Sequence, residues 1–82
     1  MINIEKIGCN LCAFRFDNGD AVILEYDYKY KGFRECSDYL MTCHYYYNGR
    51  QYDRRKYRNI TRYYMLLSSI DIDTWNNAYL LF

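Results

Sequence analysis

The segment 11–30 constrains the fold most, because it carries the clearest β-hairpin pattern in the chain. Alternating apolar runs lie on either side of Asp17-Asn18-Gly19. A one-residue change of register moves every side chain to the opposite face of the sheet, so the loop length decides which residues form the core. We predict a three-residue loop with Gly19 in the left-handed conformation, because a two-residue Asn18-Gly19 turn would put aromatic and acidic side chains on one face. The predicted buried face comprises Cys12, Phe14, Val22, Leu24, Tyr26 and Tyr28, and the opposite face Arg15, Glu25, Asp27 and Lys29.

The sequence on either side of this hairpin predicts a further strand and a short helix. Isoleucines in the segment 2–7 indicate an N-terminal strand. The segment 31–34 is expected to end the second strand of the hairpin. Ser37 is typical of an N-cap, which predicts a helix over 38–47 that ends at Asn48-Gly49. The alternative is that Asn48-Gly49 forms a turn between two strands, 44–47 and 50–52.

The segment 52–67 has the longest helical period and carries most of the positive charge. Six of the eleven Lys and Arg residues lie between Arg50 and Arg62, together with a single acid, Asp53. At about 100° per residue, this segment predicts an amphipathic helix that ends near Ser68-Ser69. Its predicted basic face comprises Arg54, Arg55, Arg58 and Arg62, and its predicted inner face Tyr57, Ile60, Tyr64 and Leu67.

The last segment, 70–82, completes the predicted fold. We expect 70–73 to be extended, with Asp73 as the cap of a short helix through Trp75 and Leu80. The apolar tail that follows must pack on the core or form a homodimer, because it would otherwise promote aggregation. The sequence therefore predicts one α+β domain over 1–82. It consists of a small antiparallel sheet, formed by the N-terminal strand and the hairpin 11–30, packed against two or three C-terminal helices.

Four cysteines and one histidine are the candidate metal ligands. A zinc site needs four ligand atoms around one ion, and Cys36 and Cys43 would lie about 10 Å apart if both were on one helix. Cys36 could still reach the ion if it lies before the helix start. We therefore interpret Cys12 and Cys43 as small core residues. The zinc-site alternative uses Cys9, Cys12, Cys36 and Cys43 or His44. Because Cys9-x-x-Cys12 runs into a strand and His44 has no motif-linked nucleophile, the sequence predicts neither an enzyme nor a cofactor.

The formal charge of +1 hides an uneven distribution. Residues 50–62 carry six positive charges and one negative, or +5, and the other residues carry five positive and nine negative, or −4. This asymmetry predicts a local basic patch. The N-terminus has no secretory pattern, and no apolar run approaches the ~18 residues that span a membrane. We expect a cytoplasmic protein without a membrane partner.

The basic face is the predicted binding site. Arginines at four-residue spacing would present a row of guanidinium groups to phosphates or carboxylates. Nearby tyrosine rings would stack on bases or anchor a protein interface. The predicted partner-binding residues are Arg54, Arg55, Arg58, Arg62, Tyr45, Tyr46, Tyr52 and Tyr63.

The chain resembles a class of small inhibitory proteins in its size, its lack of catalytic motifs and its composition, which has no Pro and is rich in Tyr, Asn and Ile. These are the proteins by which phages and mobile elements inhibit host defence, including anti-CRISPR proteins. The resemblance implies a non-enzymatic inhibitor of a host protein or protein–nucleic acid complex, acting in the host cytoplasm, with direct RNA contact left open. The alternative is a zinc-stabilised module that binds RNA or DNA directly.

Overall fold

The computed structural model describes residues 1–34, 44–47, 50–53 and 61–82. Within these ranges the chain has an α+β fold, which confirms the predicted class. The elements are β1 (Asn3–Lys6), β2 (Leu11–Arg15), β3 (Ala21–Asp27), β4 (Gly32–Arg34), β5 (His44–Tyr47), β6 (Arg50–Asp53), α1 (Thr61–Ser68) and α2 (Ile72–Tyr79). The strands form one antiparallel sheet in the order β1-β2-β3-β5-β6, and β4 also pairs with β3.

The hairpin of β2 and β3 has the predicted three-residue loop. Phe14 lies opposite Val22. The backbone N–H of Phe16 donates to the carbonyl of Asp20 at 2.8 Å, and that of Gly19 donates to the carbonyl of Phe16 at 3.1 Å. Gly19 has a φ of +92°, where a residue with a Cβ is disfavoured. The register and the loop are therefore confirmed.

The inner face of the hairpin forms the main core with both helices. Tyr45 of β5 joins it from the sheet, and Tyr63, Leu66, Ile70 and Ala78 join it from the C-terminal third of the chain. The hairpin contributes Cys12, Phe14, Val22 and Leu24. Tyr28 departs from the prediction because half of its surface is exposed. Glu25 also departs, since it is buried on the face that was expected to meet solvent.

β4 and β5 follow one another along the same edge of β3. Along an antiparallel pair of strands, the residue numbers of opposite partners have a constant sum. This sum is 59 for β3 with β4 (Glu25 and Arg34) and 67 for β3 with β5 (Val22 and Tyr45). The register of β5 is therefore offset by eight residues from the one in which β4 would continue along β3.

One prediction for the middle of the chain is incomplete and another is wrong. β3 does end before the segment 31–34, but this segment then pairs with β3 as β4, because Lys31 has a φ of +55° and turns the chain back. The predicted helix over 38–47 is wrong for its last four residues, which form β5 and pair with β6. The hairpin alternative is correct there, because strand pairing places Tyr45 in the core. Residues 38–43 lie outside the described ranges.

The predicted helix over 52–67 is wrong at its start and correct at its end. Tyr52 belongs to β6, and α1 covers Thr61–Ser68. Pairing across the sheet explains the start: Tyr52 lies opposite Tyr45, and their rings stack with centroids 5.3 Å apart. Pairing with β5 and stacking on Tyr45 thus decide the structure of this short segment.

The N-cap of α2 lies two residues before the predicted cap. Asp71 is the N-cap, and its carboxylate accepts a hydrogen bond from the backbone N–H of Thr74 at 3.3 Å. The Thr74 hydroxyl also donates to this carboxylate and lowers the pKa of Asp71. The prediction of extended chain over 70–73 is therefore correct at Asp71 but wrong at Ile72 and Asp73, which belong to α2. The predicted cap at Asp73 is wrong, because Asp73 lies inside the first turn.

The apolar tail packs on the core through some of its side chains. Trp75 and Phe82 are partly buried against the core cluster. The Phe82 ring stacks on Tyr26, with centroids 4.9 Å apart and planes 9° from parallel. Leu80 is 83% exposed, so this tail residue takes no part in the packing.

Candidate interaction surface

The predicted partner-binding residues are separated by the fold. The described ranges include Tyr45, Tyr46, Tyr52, Arg62 and Tyr63. Arg54, Arg55 and Arg58 lie outside them, and so do Tyr57 and Ile60 of the predicted inner face. The predicted row of arginines is therefore represented by Arg62 alone among the described residues.

Tyr45 and Tyr63 are core residues. Both are almost completely buried, and their rings pack edge to face with centroids 5.5 Å apart. The expectation that these rings lie at the surface is wrong, because α1 turns Tyr63 toward the sheet. Tyr64, which was assigned to the inner face, is instead 43% exposed.

Tyr46 lies on the opposite face of the sheet from its neighbour Tyr45, as alternation along a strand requires. There it lines a groove of about 380 Å³ with Ala13, Ile23 and other residues of β2 and β3. The structure therefore does not bring Tyr46 together with the other predicted tyrosines.

Three residues meet at the surface and form what we call the arginine–tyrosine cluster: Arg50, Tyr52 and Arg62. The Nη1 atom of Arg62 donates to the Tyr52 hydroxyl oxygen at 3.1 Å. The guanidinium carbons of Arg62 and Arg50 lie 5.8 and 5.9 Å from the centroid of the Tyr52 ring. Both arginines are exposed, and Tyr52 is half-buried.

Local structure explains how the cluster forms. Arg50 and Tyr52 are two residues apart in β6, so their side chains leave the same face of the strand. The pairing of β5 with β6 sets Tyr52 against the buried Tyr45, and the first turn of α1 brings Arg62 to the same ring. The cluster thus combines β6 with α1, the next described element along the chain.

The cluster concentrates positive charge within a short distance. Because each guanidinium carbon lies within 6 Å of one ring centroid, the two are at most 11.7 Å apart, the sum of 5.8 and 5.9 Å. No ion pair joins Arg50 to a carboxylate within the described part of the chain. A cation over an aromatic face is stabilised by about 0.5–1 kcal/mol at an exposed site. Each arginine therefore gains a small stabilisation from the same ring.

Sequence reasoning included Tyr52 and Arg62 but missed Arg50. A signal for Arg50 was available in the alternative that treats Asn48-Gly49 as a hairpin turn. That alternative makes 50–52 a strand, and residues i and i+2 of a strand share a face.

The cysteines that the structure describes do not favour a metal site. Cys12 is completely buried, and desolvation raises the pKa of its thiol to about 11. Metal ions bind the thiolate form, which this burial disfavours. Cys9 is exposed, whereas Cys36 and Cys43 lie outside the described ranges. Over the ranges 1–34, 44–47, 50–53 and 61–82, no group of three or more His, Cys, Asp and Glu side chains is suitably placed for a metal ion.

A separate ion network lies on the groove side of the sheet. Arg34 donates from Nη2 to the buried Glu25 carboxylate at 2.9 Å, and its Nη1 atom lies 3.3 Å from the Asp27 carboxylate. The hydrogen bond to Glu25 raises the pKa of Arg34. This guanidinium is committed to two acids of its own chain, and its role is structural.

The two helices α1 and α2 are too short and too polar to cross a lipid bilayer.

Comparisons of the chain with protein-family models, with curated proteins and with solved structures each gave no match.

Proposed function

We propose that this protein is a small non-enzymatic interaction protein that binds the phosphates of a protein–nucleic acid complex through the arginine–tyrosine cluster. A host defence complex is the target that its resemblance to anti-CRISPR proteins implies. The observation that carries the proposal is the pair of guanidinium groups held over the Tyr52 ring at 5.8 and 5.9 Å.

The rigidity of the cluster supports this proposal. Tyr52 is stacked on the buried Tyr45, and Arg62 is hydrogen-bonded to Tyr52. Ordering a long side chain on binding costs about 0.5–1.5 kcal/mol. Because part of this ordering exists before the partner arrives, the cluster binds an anion at a lower entropic cost than a freely rotating pair of arginines.

Charge supports phosphate as the target. A guanidinium group has five N–H donors and retains its charge at any physiological pH. It binds phosphate oxygens through paired hydrogen bonds that a lysine does not provide. The sequence between Arg50 and Arg62 also contains Arg54, Arg55, Lys56 and Arg58, so this part of the sequence carries more positive charge than the two described arginines.

The test is binding to a fluorescently labelled single-stranded RNA of about 20 nucleotides, which supplies phosphates in the range of known site sizes. Fluorescence anisotropy would be measured between about 50 and 200 mM salt. We expect the double variant Arg50→Glu/Arg62→Glu to lose at least tenfold in affinity at the low-salt end. The slope of log K against log salt should become shallower by about 1.4, since each phosphate contact on a single strand contributes about 0.7.

The control is Lys29→Glu/Lys31→Glu. Both lysines are exposed in the turn between β3 and β4, at the end of β3 remote from β5. Each double variant changes the net charge by −4, from +1 to −3, so general electrostatics are matched. Melting curves check that both variants fold. An equal loss of affinity in the two variants, or no RNA binding by the native protein at low salt, would overturn the proposal.

A further inference from the structure

We infer that the end of the molecule formed by the β3–β4 turn and the end of α2 binds the surface of an anionic lipid membrane. We call this surface the tyrosine–lysine patch, and it comprises Tyr28, Lys29, Tyr30, Lys31, Tyr79 and Leu80. The inference goes beyond the proposed function, because it concerns a surface that does not include the arginine–tyrosine cluster. It departs from the sequence-based expectation of a protein without a membrane partner.

Packing of the C-terminal tail brings the two halves of the patch together. The Tyr79 ring lies 5.1 Å from the Phe33 ring of β4 and 6.1 Å from the Tyr26 ring of β3, measured between centroids. The Tyr28 ring contacts Phe82, with centroids 6.3 Å apart. These aromatic contacts join the turn to the tail, so the exposed side chains of both segments form one continuous surface.

The apolar part of this patch is open to solvent. Leu80 is 83% exposed and Tyr30 is 78% exposed. Tyr28 and Tyr79 are 51% and 41% exposed. Apolar surface gains free energy when it leaves water, and a continuous exposed patch of this kind marks a site of interaction.

Hydrogen bonds hold the turn in a fixed shape. One carboxylate oxygen of Asp27 accepts from the backbone N–H groups of Lys29 at 2.9 Å and Tyr30 at 3.3 Å. The Tyr28 hydroxyl donates to the carbonyl of Cys9 at 2.6 Å. The patch is therefore formed before a partner arrives, and binding does not have to order the backbone of the turn.

The charge of the patch is positive. Lys29 and Lys31 are both exposed, and neither forms an ion pair within the described part of the chain. The acidic side chains of the adjoining strand are already engaged, because Asp27 and Glu25 both pair with Arg34. The lysines thus keep their charge for an anionic partner.

A lipid surface fits this combination better than a protein or a second copy of the chain. Protein interfaces are enriched in Arg and depleted in Lys, whereas both free cations here are lysines. A lysine can lay its apolar stem along the acyl chains and keep its ammonium group among anionic headgroups. Tyrosine is enriched at the boundary between lipid and water. A two-fold dimer through this patch would bring the lysines of both copies together.

The first test is sedimentation with lipid vesicles. One set contains phosphatidylcholine alone, and the other contains phosphatidylcholine with an equal amount of phosphatidylserine. We expect the native protein to bind the mixed vesicles and not the neutral ones. Each lysine near an anionic surface contributes about fivefold to binding, so Lys29→Glu/Lys31→Glu should lose at least about 25-fold in affinity.

The control is Arg50→Glu/Arg62→Glu, which changes the net charge by the same −4 and should bind the mixed vesicles like the native protein. The two double variants have opposite roles in the RNA assay, so failure of this inference and failure of the proposed function are distinguishable. Absence of binding to mixed vesicles, or equal losses in both variants, would overturn the inference. Loss of RNA affinity in the lysine variant without loss of vesicle affinity would assign the patch to nucleic acid and overturn it too.

A second pair of variants tests insertion of the apolar side chains. Leu80→Ser should lower the affinity for mixed vesicles about tenfold, as expected when one leucine side chain leaves water on binding. Ile72→Ser is the matched control, because Ile72 is 75% exposed but begins α2 at the opposite end of the helix from Leu80. Melting curves check that all variants fold. Unchanged affinity in Leu80→Ser would contradict insertion and overturn the inference.

Discussion

Phe82 closes the aromatic end of the core, and replacing it with alanine tests this packing directly. Its ring stacks on Tyr26 at 4.9 Å, meets Phe33 edge to face at 5.6 Å, and lies 4.9 Å from the Nζ atom of Lys6. Removal of a fully buried Phe costs about 3–5 kcal/mol. Because Phe82 is only partly buried, we expect Phe82→Ala to lower the free energy of unfolding by about 2 kcal/mol.

Urea unfolding, followed by circular dichroism, measures this loss. A loss of about 2 kcal/mol corresponds to a fall in melting temperature of about 10 °C for a domain of this size. Leu80→Ala is the matched control, since Leu80 belongs to the same tail but is 83% exposed, and it should change stability by less than about 0.5 kcal/mol. Equal losses in the two variants would refute the packing argument.

A double-mutant cycle separates the contribution of the cation from that of the ring contacts. Lys6→Met removes the charge and keeps most of the apolar stem. We expect Lys6→Met and Phe82→Ala to show a coupling free energy of about 0.5–1 kcal/mol. A coupling of zero would show that the Lys6 ammonium adds nothing to the stability of the tail.

Three other perturbations test separate parts of the fold. Gly19→Ala should lower the free energy of unfolding by about 1 kcal/mol, because a Cβ is disfavoured at a φ of +92°. The control is Gly8→Ala, whose added carbon meets only ordinary contacts. Equal urea midpoints for the two variants would contradict the loop assignment. Asp71→Ala should lower the melting temperature at neutral pH, because the N-cap is lost. The pKa of Asp71 is lowered in the folded state. The difference in melting temperature between the native protein and Asp71→Ala should therefore be complete above the ordinary pKa of aspartate and vanish as the pH falls through the pKa of the folded state. A difference that persists in acid would exclude the carboxylate as its source. Burial raises the pKa of Cys12 to about 11, so the unfolded chain ionises first and Cys12 should destabilise the fold as the pH rises above about 9. In a variant that keeps only Cys9 and Cys12, a thiol reagent should label Cys9 rapidly and Cys12 only on unfolding, and rapid labelling of both would show that Cys12 is accessible.

The hairpin of β2 and β3 could be predicted because its determinants are local. Alternation of apolar residues, one glycine and a short loop together allow a single register that buries Phe14 and Val22. The N-cap of α2 was missed by two residues because Asp71 and Asp73 are equivalent as sequence signals. The distinction comes from backbone conformation: Asp71 is extended, with φ of −75° and ψ of 162°, and so directs its carboxylate at the helix start.

The strands β5 and β6 could not be predicted with the same certainty, because their determinants are distant in sequence. The segment around Tyr52 satisfies a helical period as well as an alternating one. Pairing of Tyr45 with Val22 of β3 favours the strand, and this contact is not visible in a short window. The pairing of Tyr52 with Tyr45 is local, and only the turn alternative at Asn48-Gly49 indicated it. Arg50 was missed because the helical interpretation began at Tyr52.

The β5–β6 hairpin is joined to β3 by only two described residue pairs, Ala21 with Tyr46 and Val22 with Tyr45. Its position therefore depends as much on the Tyr45 ring, wedged between Tyr52 and Tyr63, as on backbone hydrogen bonds. A substitution at Tyr63 would therefore move Arg50 and Tyr52 relative to Arg62 without changing any residue of the cluster. Selection for a new partner can thus alter the geometry of this surface through a buried residue that the partner does not contact.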